Sequence, residues 1–429
     1  MENLKISVVE SKPCSIVLDI EIPFAEVSAT TERIYEQIRK NAQIPGFRAG
    51  KAPMDMIKKN YQAACREKVV DDLLQRSIMP VFKKQGIEPV AFPSVDNVNF
   101  DFDRPFSYKM TVEQHPTVKV KDYKGIKVTK EIHPVTEKNV NEAIDALRER
   151  NARLADSAAT AATEKHLLLT DYTATCEGQE IKDLKAANQL IDPNVGQMMP
   201  GLKEGLLGMA KGSTKDISVA FPPDHPNKKL AGKNVIFNVT VKEIKEKILP
   251  ELNDEFAKDM GLGALGELQA KVKESLEAEE ARRQKHGIEK QLIDSLLESN
   301  KFEVPNSLIE DQLGRLMKNA EDYFKEHGLP ETAYKKKIEE EKDKYKIEAE
   351  RNVRLSYIFN AIIDEEKLAV TDADLAAENQ KILSGNAGKE KEVEKYIKEN
   401  SEKIKSYLKE EKLFQFLEIN AKIKDGAKK

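Results

Sequence analysis

The chain has 429 residues, of which 40% are hydrophobic and 34% charged, with no tryptophan and a formal net charge of −4. That length exceeds one ordinary core and suggests about three domains, while the near balance of charge excludes a globally basic nucleic-acid binder. Three widely spaced cysteines, Cys14, Cys65 and Cys176, exclude a disulfide framework and a cysteine-rich zinc site.

From the N-terminus, "LKISVVE" and "SIVLDIEI" alternate as strands do, and "FAEVSATTERIYEQIRKNA" (24–42) has helical spacing at Val27, Ile34 and Ile38. The stretch "IPGFRAGKAP" (44–53) then interrupts the helical pattern with two prolines and two glycines. Pro53 suits the first position of a following helix, and "VVDDLLQRSIMPVFKKQ" predicts a further helix. Strands are predicted in "PVAFPSVDNVNFDF" and "FSYKMTVEQ", so residues 1–114 read as an α+β domain. Local charge departs from the average here: Glu32 to Lys68 holds nine Lys or Arg against four acids. One solvated helix face would explain that excess, were "GFRAGK" not in its middle.

Thr136 caps a predicted helix over 135–156 with apolar positions Val140, Ile144 and Leu147, and "SAATAATEK" reads as a linker. From His166 to Lys247 short strands alternate with Gly and Pro clusters. Beyond "LPELNDEF" the chain reads as helical to its end. One helix shows Ser307 and Glu310 as a capping box behind Pro305, apolar residues at Ile309, Leu313, Leu316, Ala320 and Phe324, and closure at Gly328 and Pro330. The segment 332–366 reads as one long helix, with Ile347, Leu355, Ile358, Phe359 and Ile362 as its packing stripe.

"GLGALG" (261–266) matches the dinucleotide fingerprint, but a helical pattern precedes it where a strand is required, so it reads as a joint between helices. The six histidines never approach one another in sequence, which gives no support to a metal site or a nucleophile-base pair. No cofactor is therefore expected. The start lacks a signal-peptide pattern and no 18 apolar residues run together, so a cytoplasmic location without membrane attachment is expected.

"GFRAGKAP" closely resembles the G-F-R-x-G-K-x-P signature of the trigger factor family, bacterial chaperones that meet nascent chains at the ribosome. "VTEKNVNEAIDALRERNA", "LPELNDEFAK" and "FEVPNSLIEDQ" resemble the family's linker helix and C-terminal segments in the same order. The resemblance implies an α+β multidomain fold. Its parts are a ribosome-binding domain (1–114), a linker helix packing with the C-terminal domain (115–160), an FKBP-like antiparallel β domain with a short helix (161–247) and an all-α chaperone domain (248–429).

It also implies docking on the large ribosomal subunit at the polypeptide exit site, on protein and rRNA. Gly46 and Gly50 would permit the bend, Phe47 would fill an apolar notch, and Arg48 and Lys51 would meet phosphates or acidic groups. Many relatives carry a second cation directly after the arginine; here that residue is Ala49, so weaker or more salt-sensitive docking is expected. The implied clients are nascent and unfolded polypeptides, bound without ATP, with no role for DNA or a membrane. A homodimer off the ribosome is left open.

"GQMMPGLKEGLLGMAKG" (196–212) resembles the core of an FKBP-type peptidyl-prolyl isomerase, which desolvates an X-Pro amide in an apolar pocket and uses no acid or base. Tyr172 and Phe237 stand at the family's aromatic positions, and Met199 at the aliphatic one before Pro200. Ile181, Gln189, Leu202 and His225 stand where relatives commonly carry Phe or Tyr. Two readings stay open at this point: retained isomerase activity in an aliphatic pocket, or a barrel kept as scaffold or peptide-binding surface. Two functions from other classes are a prolyl isomerase whose flanking domains deliver substrate, and a periplasmic chaperone-isomerase, which the missing signal peptide disfavours.

Overall fold

Alternation of apolar and polar residues governs the first sheet. Lys5–Lys12 (β1) pairs antiparallel with Ser15–Ile22 (β2), and β2 turns Leu18, Ile20 and Ile22 to the buried side. In the computed structural model described here, residues 3–427 are covered except Gly46, Ala49 and residues 182–183, 195–200, 223–229, 231 and 387. The expected ribosome-loop residue Gly46 and pocket residues Met199 and His225 therefore lie outside the described residues. The chain divides into two units, residues 1–130 with 286–426, and residues 131–285 with 427–429.

In the first unit, Phe24–Asn41 (α1) and Met54–Gln85 (α2) follow the hairpin, and Ser94–Asn99 (β3) and Phe106–Glu113 (β4) complete a sheet of order β1-β2-β4-β3. Phe106, Tyr108, Met110 and Val112 alternate inward along β4 and pack with Val27 and Ile34 of α1 and Ile57 and Leu73 of α2. The Tyr108 hydroxyl, buried in that core, meets the Ser77 hydroxyl at 2.7 Å, so neither polar group is stranded. One expectation changes here. Pro53, expected at the first helical position, precedes it with an extended ψ of 143°. The two helices expected after it are present within α2, parted by a kink where Tyr61 adopts φ −121° and ψ 20°.

Lys127–Ile132 (β5) is followed by the second unit's first helix, Glu137–Arg150 (α3). Thr136 caps it as expected: its hydroxyl accepts the Asn139 N–H, and the Asn139 side chain accepts the Thr136 N–H. The helix stops at Arg150, short of the expected residue 156, because Arg153–Asp156 (β6) joins a sheet instead. The other strands are His166–Cys176 (β7), Gln179–Glu180 (β8) and Ala186–Ile191 (β9), then, after the short helix Leu202–Leu206 (α4), Thr214–Ala220 (β10) and Asn234–Ile248 (β11). Their order is β10-β11-β7-β8, with β6 on β11 and β9 on β7. Leu168, Ala174, Val219, Val235 and Val241 fill its interior.

Asp254–Asp259 (α5) leads by Gly261–Ala264 into Leu265–Ser299 (α6), the helix joint read from "GLGALG". The amides that a phosphate would need are occupied. Gly263 N–H donates to Glu267 Oε2 at 2.8 Å, and Leu265 N–H to Asp254 Oδ1 at 2.8 Å. Leu147 of α3 packs with Phe256 and Leu268 across this joint.

The remaining first-unit elements are Asn306–Glu326 (α7), Glu331–Glu340 (α8), Lys342–Glu365 (α9), Asp372–Ser384 (α10), Glu390–Glu399 (α11), Ser401–Asn420 (α12) and Lys422–Ala427 (β12), which pairs with β5. Ile288, Leu292, Leu296, Ile358, Ile362, Leu413 and Leu417 form one core with Val120, Ile126 and Val128. The expected Ser307 and Glu310 capping box is absent. Pro305 is the cap residue, Ser307 bonds to Glu113, and Glu310 pairs with Lys346 at 3.3 Å. The single helix expected over 332–366 is two, parted at Glu341, where φ is −100° and ψ 4°. Of its stripe, Ile358, Phe359 and Ile362 are buried and Leu355 packs beside them, but Ile347 is 71% exposed and takes no part.

Candidate functional site

The stretch between α1 and α2 is anchored at both ends and presented in between. Ile44 and Ala52 are buried in the domain core, while Phe47, Arg48 and Lys51 are exposed, Phe47 by 42%. Two turn hydrogen bonds shape it, from Phe47 N–H to Ile44 C=O at 3.1 Å and from Lys51 N–H to Arg48 C=O at 3.0 Å. Gly50 has φ +81°, a conformation that a residue with a Cβ adopts only with strain.

Neighbouring cations are engaged elsewhere. Arg33 holds Asp72, Arg39 lies 3.2 Å from Glu36, Lys58 sits over the Tyr35 ring and Arg66 over the Phe100 ring. Burial alone would raise the Asp72 carboxyl, yet hydrogen bonds from Arg33 and Arg76 hold it below the ordinary carboxylate range. Burial and the neighbouring Cys65 push the Tyr35 hydroxyl up to about 12. Among the described residues Arg48 and Lys51 form no ion pair, so the loop presents one aromatic ring and two uncompensated cations.

In the second unit, β7 and β11 lie side by side and bring Tyr172 and Phe237 together, ring centroids 6.1 Å apart and planes inclined by 60°. Ile181 joins them because its N–H donates to Ala174 C=O at 2.8 Å. Gly201, at φ 91°, turns the chain into α4, and its N–H donates to the Glu204 carboxylate at 2.9 Å. Leu202 then opens the helix. Tyr172, Ile181 and Leu202, all half-buried, pack on one apolar core with buried Phe237, Leu206, Val219 and Phe221. Gln189, by contrast, is exposed on β9 and contributes its backbone carbonyl to Thr170 at 3.1 Å.

The described residues of this arrangement offer apolar walls, which suit desolvation of an amide. Among the described residues no group of three or more His, Cys, Asp or Glu could hold a metal ion, and no helix is long and apolar enough to cross a membrane. The sequence reading did not single out Phe221, which is buried in the same apolar core. Its signal was the alternation Ile217, Val219, Phe221, which turns all three inward.

A sheet-and-helix domain with a presented cationic loop, a separate β domain and a helical C-terminal region define a multidomain α+β protein. Family profiles agree: "Bacterial trigger factor protein" matches residues 4–147, its C-terminal counterpart residues 264–418, and "FKBP-type peptidyl-prolyl cis-trans isomerase" residues 158–242. The trigger factor of Trichlorobacter lovleyi is 35% identical over 86% of this chain and 84% of its own. That of Geobacter sulfurreducens is 32% identical over 96% of each. A solved structure of the trigger factor chaperone, described for promiscuous substrate recognition in folding and assembly, matches with a TM-score of 0.51 at 19% identity, over 97% of this chain and 100% of that one. The chain belongs to the trigger factor family, a chaperone family, and carries an FKBP-type isomerase domain.

Proposed function

We propose that this chaperone docks on the large ribosomal subunit at the polypeptide exit site, against protein and rRNA, through Gly46, Phe47, Arg48, Gly50 and Lys51. It holds nascent and unfolded polypeptides open in the cytoplasm without ATP, and self-associates as a homodimer when off the ribosome. Residues 1–114 dock, 115–160 link, 161–247 form the isomerase domain and 248–429 hold clients. The observation that carries this reading is the exposed Phe47 beside Arg48 and Lys51, neither of which has an ion-pair partner among the described residues. Such a group has an apolar tip for a notch and charges for phosphate.

Isomerase activity is attenuated in this account. The proposed pocket of Tyr172, Ile181, Met199, Leu202, His225 and Phe237 has two aromatic carbocycles where relatives commonly have more, although an aliphatic wall still desolvates a proline. The persisting Tyr172–Phe237 pair favours a second reading, in which isomerisation is the main task.

Excision of the β domain separates the two. Its ends meet, since Asp156 pairs with Lys245 in the β6–β11 ladder and Ser157 N–H donates to Ile244 C=O at 2.9 Å. Joining residue 156 to 245 through a short glycine linker is therefore compatible with the remaining chain. Suppression of aggregation of a refolding client is expected to persist in the excised protein; its abolition would favour the isomerase reading.

A further inference from the structure

Helix α4 has five residues, too few to hold its own ends, because so brief a helix leaves most of its backbone groups without an internal partner. Two exposed side chains supply what it lacks. The Glu204 carboxylate accepts the Gly201 N–H at 2.9 Å where the helix starts, and the Lys215 ammonium, reaching over from β10, donates to Gly205 C=O at 3.0 Å near its end. An acid at the first turn and a cation at the last also suit the helix dipole. Glycines let α4 lie close on β10: a Cβ at Gly201 would stand 3.1 Å from the Ser218 carbonyl oxygen, and Gly205 rests on the Ile217 side chain. Leu206 is fully buried in the core of the β domain, and Leu202, one turn earlier on the same face, packs half-buried against that core. Burial therefore fixes the turn at Leu206, whereas the turn at Leu202 depends on the Glu204 contact.

We infer that Glu204 and Lys215 are positioning residues for prolyl isomerisation: by clamping the two ends of α4 they hold Leu202 at the depth where it walls the proline. The inference rests on the isomerase domain being active in this chain, and it adds two side chains that act on the substrate only through Leu202. Without the Glu204 contact the first turn frays and Leu202 recedes, so an apolar contact made equally in the ground state and the transition state is lost. The consequence is weaker substrate binding, read as KM, with the bound step itself little changed. A side chain that merely supported the fold would act differently. Its loss would lower the folded fraction, and with it the apparent kcat, at constant KM.

The test uses the full chain and a leucine-proline peptide in a protease-free assay, run over a range of peptide concentrations so that kcat and KM separate. Glu204→Ala is expected to raise KM about 5-fold, the equivalent of one lost helix cap, with kcat little changed. Lys215→Ala is expected to shift KM in the same direction. Glu204→Gln, which keeps an oxygen able to accept the Gly201 N–H, is expected to restore the wild-type KM. In a double-mutant cycle, Glu204→Ala is expected to add nothing once Leu202→Ala is present, because the side chain through which it acts is gone. A wild-type KM in both alanine variants overturns the inference and leaves the isomerase reading standing. So does a loss confined to kcat, or a full additional loss in the Leu202→Ala background. Wild type that turns over no proline peptide overturns both.

Discussion

The carboxylate of Glu113 accepts both the backbone N–H of Ser307, at 2.9 Å, and its hydroxyl, joining the end of β4 to the first turn of α7 across 194 positions of sequence. Pro305, the residue at the helix cap, offers no side-chain oxygen, so Glu113 does the capping from another part of the chain. Nearby, the Cys14 thiol donates to Glu303 C=O at 2.9 Å, and His115 meets the Tyr357 hydroxyl at 2.7 Å. Burial, followed by the charges of Glu303 and Glu113, pushes the Cys14 thiol up and keeps it protonated. These contacts tie the N-terminal sheet to the C-terminal helices within one unit.

Glu113→Ala is therefore expected to lower stability by about 1–2 kcal/mol, the usual cost of losing a helix cap or a charged hydrogen bond. In a double-mutant cycle with Ser307→Ala, read by urea unfolding, a coupling of about 1 kcal/mol is expected. Strictly additive effects would contradict the contact between the Ser307 hydroxyl and the Glu113 carboxylate, and an unchanged stability in Glu113→Ala would contradict the capping role.

A second prediction concerns acid. The Asp374 carboxyl is held down to about 2, first by the Lys412 side chain and then by the Thr371 N–H and hydroxyl. Its folded value lies below the ordinary 3.8, so the contact contributes stability above that pH and loses it as pH falls toward 2. Hydrogen exchange in α10 should accelerate across this window in the wild type. In Asp374→Asn the acceleration should be absent, with α10 exchanging faster already at neutral pH.

Gly205 in α4 lies against Ile217, and a Cβ added there would stand 2.4 Å from Ile217 Cγ2. Ile217 is buried and cannot swing away. Gly205→Ala should destabilise the β domain by about 1–3 kcal/mol, visible in thermal unfolding, as overpacked cores do.

For the isomerase pocket, turnover of a proline peptide in a protease-free assay should fall well below that of active FKBP-type enzymes. Ile181→Phe should raise kcat/KM about tenfold by restoring an aromatic wall, equivalent to about 1.4 kcal/mol of barrier. Wild-type turnover equal to those enzymes would contradict attenuation.

The sequence disclosed what depends on local pattern. Alternation located β2, β4, β7, β10 and β11, Thr136 located α3, and the Pro and Gly residues around Phe47 located the loop. What it hid depends on distant partners. Ser307 looked like half of a capping box because Glu310 follows at the right spacing, and nothing local indicates that Glu113 takes its place. Likewise the charged run 332–366 has uninterrupted helical propensity, so the break at Glu341 leaves no local mark.

The central claim is that the exposed Phe47, Arg48 and Lys51 dock this chaperone on the ribosome. Co-sedimentation with ribosomes across a salt series tests it most directly, comparing the wild type with Phe47→Ala, Arg48→Ala and Lys51→Ala, and with Ala49→Lys. The account predicts wild-type binding that weakens as salt screens the two cations. It also predicts loss in each alanine variant, and tighter binding when position 49 gains a charge. Wild-type binding indifferent to salt and unchanged in all three alanine variants would contradict it.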